Sequence, residues 1–152
     1  MEAVTSSWSS DRTGVRLSPT MNAHGMRDSN PGSLFIQAAD MLSTYDLSYL
    51  HVAEAIRPGR LFNPDAPRVT PFIRQTYDGN LIANGGYDRQ SAVATIEALD
   101  ADAIAFGQSF IANPDLPARF EANAPLNSSD PATFYTPGPK GYTDYPIMTQ
   151  VT

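Results

Sequence analysis

The sequence predicts a parallel α/β protein, and two patterns carry that prediction. Short, continuously apolar or β-branched runs read as buried strands, and amphipathic helical stretches alternate with them along the chain. Strand–helix–strand repeats of this kind make βαβ units with right-handed crossovers and a parallel sheet. A third pattern points to ligand chemistry. The runs Leu81-Ile-Ala-Asn-Gly-Gly-Tyr-Asp88 and Ala103-Ile-Ala-Phe-Gly-Gln108 each end in glycine just before a polar or helix-like segment. Glycine at a strand end lets the backbone approach an anion, and a following helix start offers N–H groups and a positive dipole end.

The elements follow in order. Thr13 to Ser18 is rich in β-formers and closed by Pro19, so it reads as the first strand. Asn30-Pro31 supplies an N-cap with proline in the first helical turn, and Leu34, Ala38, Met41, Leu42 and Tyr45 share one apolar face of the first helix. Leu47 to Ala53 is the second strand. Arg57 to Pro71, with four prolines, reads as a long loop before a short helix over Phe72 to Tyr77. Asp78-Gly79 breaks the chain, Leu81 to Ala83 is the third strand, and Asp88 caps a helix whose face is Ala92, Val93, Ile96 and Leu99. The fourth strand is Ala103 to Phe106. Asn113 to Pro117 and Asn127 to Lys140 are dominated by turn residues with a short helix between them, and an irregular aromatic tail ends in Gly141-Tyr-Thr-Asp-Tyr-Pro146.

Composition bounds the function. At 152 residues and 41% apolar the chain is the size of one ordinary domain. With 16 acidic against 10 basic residues its net charge is −6, which argues against nucleic acid and against an anionic membrane surface as partners. The absence of cysteine removes disulfides, thiolate metal sites and cysteine nucleophiles. His24 and His51 stand in different environments, one in a polar loop and solvated, the other inside an apolar strand as a hydrogen-bonded interior residue, so no metal-ligand spacing arises. The residues Met1 to Trp8 hold neither a basic leader nor an apolar run, and no segment reaches the length of a membrane span. The expectation is a soluble cytoplasmic protein. Four strands allow either a small open doubly wound sheet or half of an eight-stranded βα barrel, both with ligands at the carboxyl ends of the strands.

Nine segments carry a resemblance, in order: Trp8 to Pro19, Asp28 to Pro31, Leu50 to Glu54, Ile82 to Tyr87, Ile104 to Gly107, Phe110 to Leu116, Ala124 to Asn127, Thr133 to Tyr135 and Gly141 to Pro146. Across them the chain resembles the C-terminal half of the Old Yellow Enzyme family. These are FMN-dependent NAD(P)H oxidoreductases that include plant 12-oxophytodienoate reductases and bacterial ene-reductases. The resemblance implies a TIM (βα)8 barrel whose strands five to eight are the four read above. It implies one partial barrel domain over residues 1–152, with four βα units in 1–112 and the irregular tail in 113–152. By the same resemblance Arg16 lies against the pyrimidine side of the flavin, where a fixed cation stabilises charge on the reduced ring. Gly85 and Gly86 hold the FMN phosphate and Gly107 completes the cradle. Phe134 and Tyr135 stand near the dimethylbenzene edge and the substrate mouth.

Each residue also has a plainer reading. An arginine at a strand end is ordinarily a surface or salt-bridge residue, a glycine pair ordinarily makes a turn, and Phe134 and Tyr135 equally suit a core-sealing role under the tail. At Gln108 the chain departs from the family, which usually carries an arginine paired with the flavin phosphate; glutamine donates a hydrogen bond but brings no charge. The family's first half carries the residues that grip the substrate carbonyl and the tyrosine that delivers the proton, so no catalytic residue is assigned in this chain. Four strands alone expose two parallel edges, which a second copy or a separately made first half would cover. The readings open at this point are half of an enzyme that reduces small α,β-unsaturated carbonyl substrates with NAD(P)H, a non-catalytic remnant, and a phosphate- or flavin-binding half-barrel module.

Overall fold

The computed structural model describes residues 1–21, 23, 25–57 and 67–148. His24 and most of the proline-rich loop expected over Arg57 to Pro71 lie outside them. The chain divides into two compact units, Met1–Ala105 and Phe106–Thr152.

The first unit is built on a four-stranded parallel sheet with strands in sequence order, β1 (Gly14–Leu17), β2 (Tyr49–Ala53), β3 (Leu81–Asn84) and β4 (Ala103–Ala105). Arg16 stands opposite His51, and His51 opposite Ile82. Helix α1 (Glu2–Trp8) precedes the sheet and was not expected; its Trp8 ring lies 4.7 Å from the Arg12 guanidinium. Between β1 and β2 runs α2 (Pro31–Ser43), started by Asn30, whose side chain accepts from the Ser33 N–H. α3 (Thr70–Thr76) joins β2 to β3, and α4 (Arg89–Glu97) joins β3 to β4.

Alternation along the strands sorts the sheet into two faces. Leu50, Val52 and Leu81, with Val15 and Leu17, pack against Ala39 and Leu42 of α2 and Ile73 of α3, together with Tyr77. The other face carries Gly14, Arg16, Tyr49, His51, Ile82 and Asn84, and Tyr49 there is 40% exposed.

Two expected helix faces are corrected. α2 turns Phe35, Ile36, Ala39 and Leu42 inward and leaves Leu34 and Met41 exposed. Its apolar residues cover more than half its circumference, so helical spacing alone does not select the face. On α4 only Ala92 is buried and Val93 and Ile96 are exposed, while Leu99, also exposed, lies beyond the helix end. The fourth strand stops at Ala105, one residue early, and Phe106, the first residue of the second unit, packs edge-on against Phe120 at 5.1 Å.

That second unit holds two short helices, α5 (Gln108–Ala112) and α6 (Leu116–Glu121), and a 3₁₀ turn over Pro131–Thr133. Its organiser is Arg119, which is buried. The guanidinium donates to Asp115 Oδ1 at 2.7 Å, to the Pro125 carbonyl at 2.6 Å and to the Pro146 carbonyl at 3.0 Å. Asn127 donates to the carbonyls of Ala112 and Pro146 and takes the side-chain oxygen of buried Asn113 on its own N–H. The tail that reads as irregular is thereby tied down residue by residue.

Candidate functional site

In the first unit Arg16, on β1, and the Gly85-Gly86 turn that follows β3 lie at the carboxyl end of one parallel sheet, with β2 between their strands. Arg16 is exposed, and no described acid pairs with it. It borders a cavity of about 350 Å³, whose lining includes Arg27, Met21, Met26, Leu34 and Phe35. Its charge also acts on His51, its partner across the strands. Burial, and then the Arg16 cation, hold the His51 pKa below its ordinary value. The expected hydrogen bond for this histidine is absent, since Nε2 is buried with no partner among the described residues.

Conformation asks for both glycines of the turn, and at Gly85 space does so as well. A side chain on Gly85 would meet the Glu54 carbonyl oxygen at 2.3 Å, and both residues have positive φ, 130° and 81°. Among the described residues nothing accepts from the N–H of either glycine. The helix start beyond them is filled from within, contrary to the sequence expectation of unpaired N–H groups. Asp88 accepts from the Ser91 N–H at 2.8 Å and from its hydroxyl at 2.6 Å, and Ser91 Oγ accepts the Asp88 N–H. These bonds, with the Arg57 guanidinium at 2.5 Å, hold the Asp88 carboxyl well below the usual carboxylate range.

Glu54 has no sequence signal beyond its place after an apolar strand. Its buried carboxylate accepts from the N–H groups of Val69 at 2.7 Å and Thr70 at 2.9 Å and from the Thr70 hydroxyl at 2.6 Å. Three donors balance the desolvation of that charge, so Glu54 anchors the start of α3 to the end of β2.

In the second unit Gly107 has φ −101° and open space where a side chain would stand, so neither conformation nor packing demands glycine there. Gln108 donates from Nε2 to Ser129 Oγ at 3.0 Å. Phe134 is half-buried, whereas Tyr135 is 90% exposed with φ 63° and its N–H donates to Tyr142 Oη at 2.6 Å. The core-sealing reading therefore fails for Tyr135, whose ring is displayed from a backbone conformation that costs a bulky residue about 1–3 kcal/mol. Among the described residues no group of acids, histidines or cysteines could hold a metal ion, and no helix is long and apolar enough to cross a membrane.

A parallel sheet with its polar and glycine-bearing positions at the carboxyl ends is the ligand side of a βα barrel, present here as four strands. The sequence profile of the NADH:flavin oxidoreductase / NADH oxidase family matches residues 1–127, and the chain belongs to that family. A 12-oxophytodienoate reductase-like protein of Solanum lycopersicum is 44% identical over 149 residues, covering 97% of this chain and 39% of that one. A probable flavin mononucleotide-dependent alkene reductase of Leishmania infantum is 36% identical over 97% of this chain and 39% of its own length. The solved Old Yellow Enzyme homologue from Zymomonas mobilis superimposes with a TM-score of 0.91 at 43% identity, over 97% of this chain and 41% of that one. The chain thus spans about two fifths of the length of the relatives it matches.

Proposed function

We propose that this chain is the flavin-phosphate half of an FMN-dependent NAD(P)H oxidoreductase of the Old Yellow Enzyme type. In this reading it acts on small α,β-unsaturated carbonyl compounds once the remaining strands of the barrel are supplied. A bound flavin would provide hydride relay from nicotinamide to the activated alkene. The chain's own residues bind and orient. Arg16 places a fixed cation against the pyrimidine edge, the N–H groups of Gly85 and Gly86 meet the phosphate, Gly107 leaves room for it, and Phe134 and Tyr135 border the substrate mouth.

One observation carries the reading: the carboxyl ends of strands in a single parallel sheet offer a guanidinium without a described ion pair and two N–H groups without a described acceptor. Unused donors of both kinds at the ligand side of a barrel suit a flavin, whose ring and phosphate both carry acceptors. The chain by itself binds without turning over, since the carbonyl-gripping and proton-delivering groups belong by resemblance to the other strands. Those strands, from a first-half chain or a second copy, also cover the free edges of β1 and β4. The lack of cysteine suits a reducing compartment, and a cytoplasmic setting belongs to the same proposal.

The test is a titration of the chain with FMN, followed by quenching of flavin fluorescence. Saturable binding is expected, and Arg16→Ala should weaken it about ten- to a hundredfold or shift the flavin spectrum. A chain that leaves FMN fluorescence unchanged at every concentration refutes the proposal, and a variant that changes neither affinity nor spectrum refutes the role of Arg16.

A further inference from the structure

We infer that Arg57 is the residue whose charge holds the flavin phosphate at the Gly85-Gly86 turn, and that it makes this chain select FMN over riboflavin. The inference rests on the flavin reading above and deepens it by one charged contact, drawn wholly from residues of the first unit.

The backbone places Arg57 at the turn. The Ile56 N–H donates to the Gly85 carbonyl at 2.8 Å. The main-chain N and the Cβ of Arg57 lie 3.6 and 3.5 Å from the position a Gly86 side chain would take. A side chain rooted this close to the two glycines reaches a phosphate that accepts their N–H groups, and its planar fork matches two phosphate oxygens.

The charge around the turn favours an anion. Arg57, Arg68 and Arg89, the first residue of α4, set three cations against the buried carboxylate of Glu54 and the carboxylate of Asp88. Arg68 is engaged on two sides, with Nε 3.7 Å from Glu54 Oε2 and Nη2 donating to the Tyr87 hydroxyl at 3.4 Å. Arg57 instead pairs with Asp88 in a half-exposed contact, and an ion pair open to water contributes little to stability. The two oxygens of Asp88 also divide their work. Oδ1 accepts from the N–H and the hydroxyl of Ser91, and Oδ2 meets Arg57, so the guanidinium can turn to a ligand without undoing the cap of α4. A phosphate monoester carries about −1.5 to −2 charge near pH 7 and draws the guanidinium more strongly than the single charge of Asp88. The hydroxyl that riboflavin offers in its place brings no charge and gains only a neutral acceptor's bond.

FMN and riboflavin, each titrated by fluorescence quenching, separate a ligand contact from a structural one. The wild-type chain is expected to bind FMN at least about tenfold tighter than riboflavin. Arg57→Gln should weaken FMN about ten- to a hundredfold and leave riboflavin unchanged, and Arg57→Lys should recover part of that loss, having the charge without the fork. Asp88→Asn still caps α4 while freeing the guanidinium, and should tighten FMN. Opposite effects from the two halves of one ion pair mark a ligand contact, because a purely structural pair is lost equally from either side. An Arg57→Gln chain that binds FMN as the wild type does, equal losses for the two flavins, or weaker FMN binding in both Arg57→Gln and Asp88→Asn overturns this inference and leaves the flavin reading standing. Binding of neither flavin by the wild-type chain overturns the flavin reading and this inference with it.

Discussion

The two units of the chain reach order by opposite means. In Met1–Ala105 the sheet is held by apolar burial, with Leu50, Val52, Leu81 and Ile73 all fully buried. In Phe106–Thr152 the buried residues include Arg119 and Asn113, and the segment is held by side chains bonded to main-chain carbonyls and N–H groups. Polar satisfaction divides the same way. The first unit contains both described polar side-chain atoms that are buried without a partner, Thr20 Oγ1 and His51 Nε2. An apolar core tolerates some orphaned polar atoms because its stability comes from elsewhere, whereas a polar network must be complete to be stable.

That difference makes Arg119 the most sensitive position. Its guanidinium joins Asp115 to the carbonyls of Pro125 and Pro146, and Met148 donates its N–H to the other oxygen of Asp115. Arg119→Ala leaves the Asp115 carboxylate and the Pro125 and Pro146 carbonyls without their shared donor and is expected to undo the order of the whole segment. Arg119→Lys should rescue little, because an ammonium has no planar fork to span three acceptors. Hydrogen exchange is the measurement. The amides of Asn127 and Met148 should lose protection while those of β2 and β3 keep it. Equal loss in the strands would erase the contrast between the units.

The converse substitution is Leu50→Ala, in β2 with no exposed surface. A cavity among Val52, Leu81 and Ile73 is expected to cost about 2–4 kcal/mol in a denaturant titration, whereas the volume-conserving Leu50→Met should cost less than about 1.5 kcal/mol. If both variants cost the same, shape and apolar area are not what hold the sheet.

How much of this was legible in the sequence follows the same division. All four strands, the Asn30 and Asp88 caps and the parallel class were readable, because each depends on local pattern: apolar runs, a capping residue, a glycine at a strand end. The inward face of α2 was not, since Leu34 and Phe35 fit helical spacing equally well and only the sheet decides between them. The polar organisers were invisible for a different reason. Glu54 finds its donors at Val69 and Thr70, and Arg119 finds an acceptor at Pro146, so their partners are set by folding and not by neighbouring residues. At the candidate site, Gly85 and Gly86 were readable as a turn, but the Arg57–Asp88 pair beside it depends on a contact between residues far apart in sequence.

The smallest expected effect probes the orphaned group of the apolar unit. Burial and Arg16 hold the His51 pKa below its ordinary 6.5, so the folded chain resists a proton that the unfolded chain accepts. Above about pH 7.5 His51 is neutral in both states and contributes no pH dependence. As the pH falls through 6.5 the unfolded state binds the extra proton, so stability declines on acidification until the folded-state pKa is passed. Asp88 and Asp115, with carboxyls held below 3.8, lose their contribution only in a lower window and do not interfere. Denaturant midpoints at about pH 7.5 and about pH 5.5 should therefore differ for the wild-type chain, and His51→Gln should narrow that difference. An unchanged difference would assign the acid sensitivity to other groups, and the sheet's open face would then tolerate its histidine in either charge state.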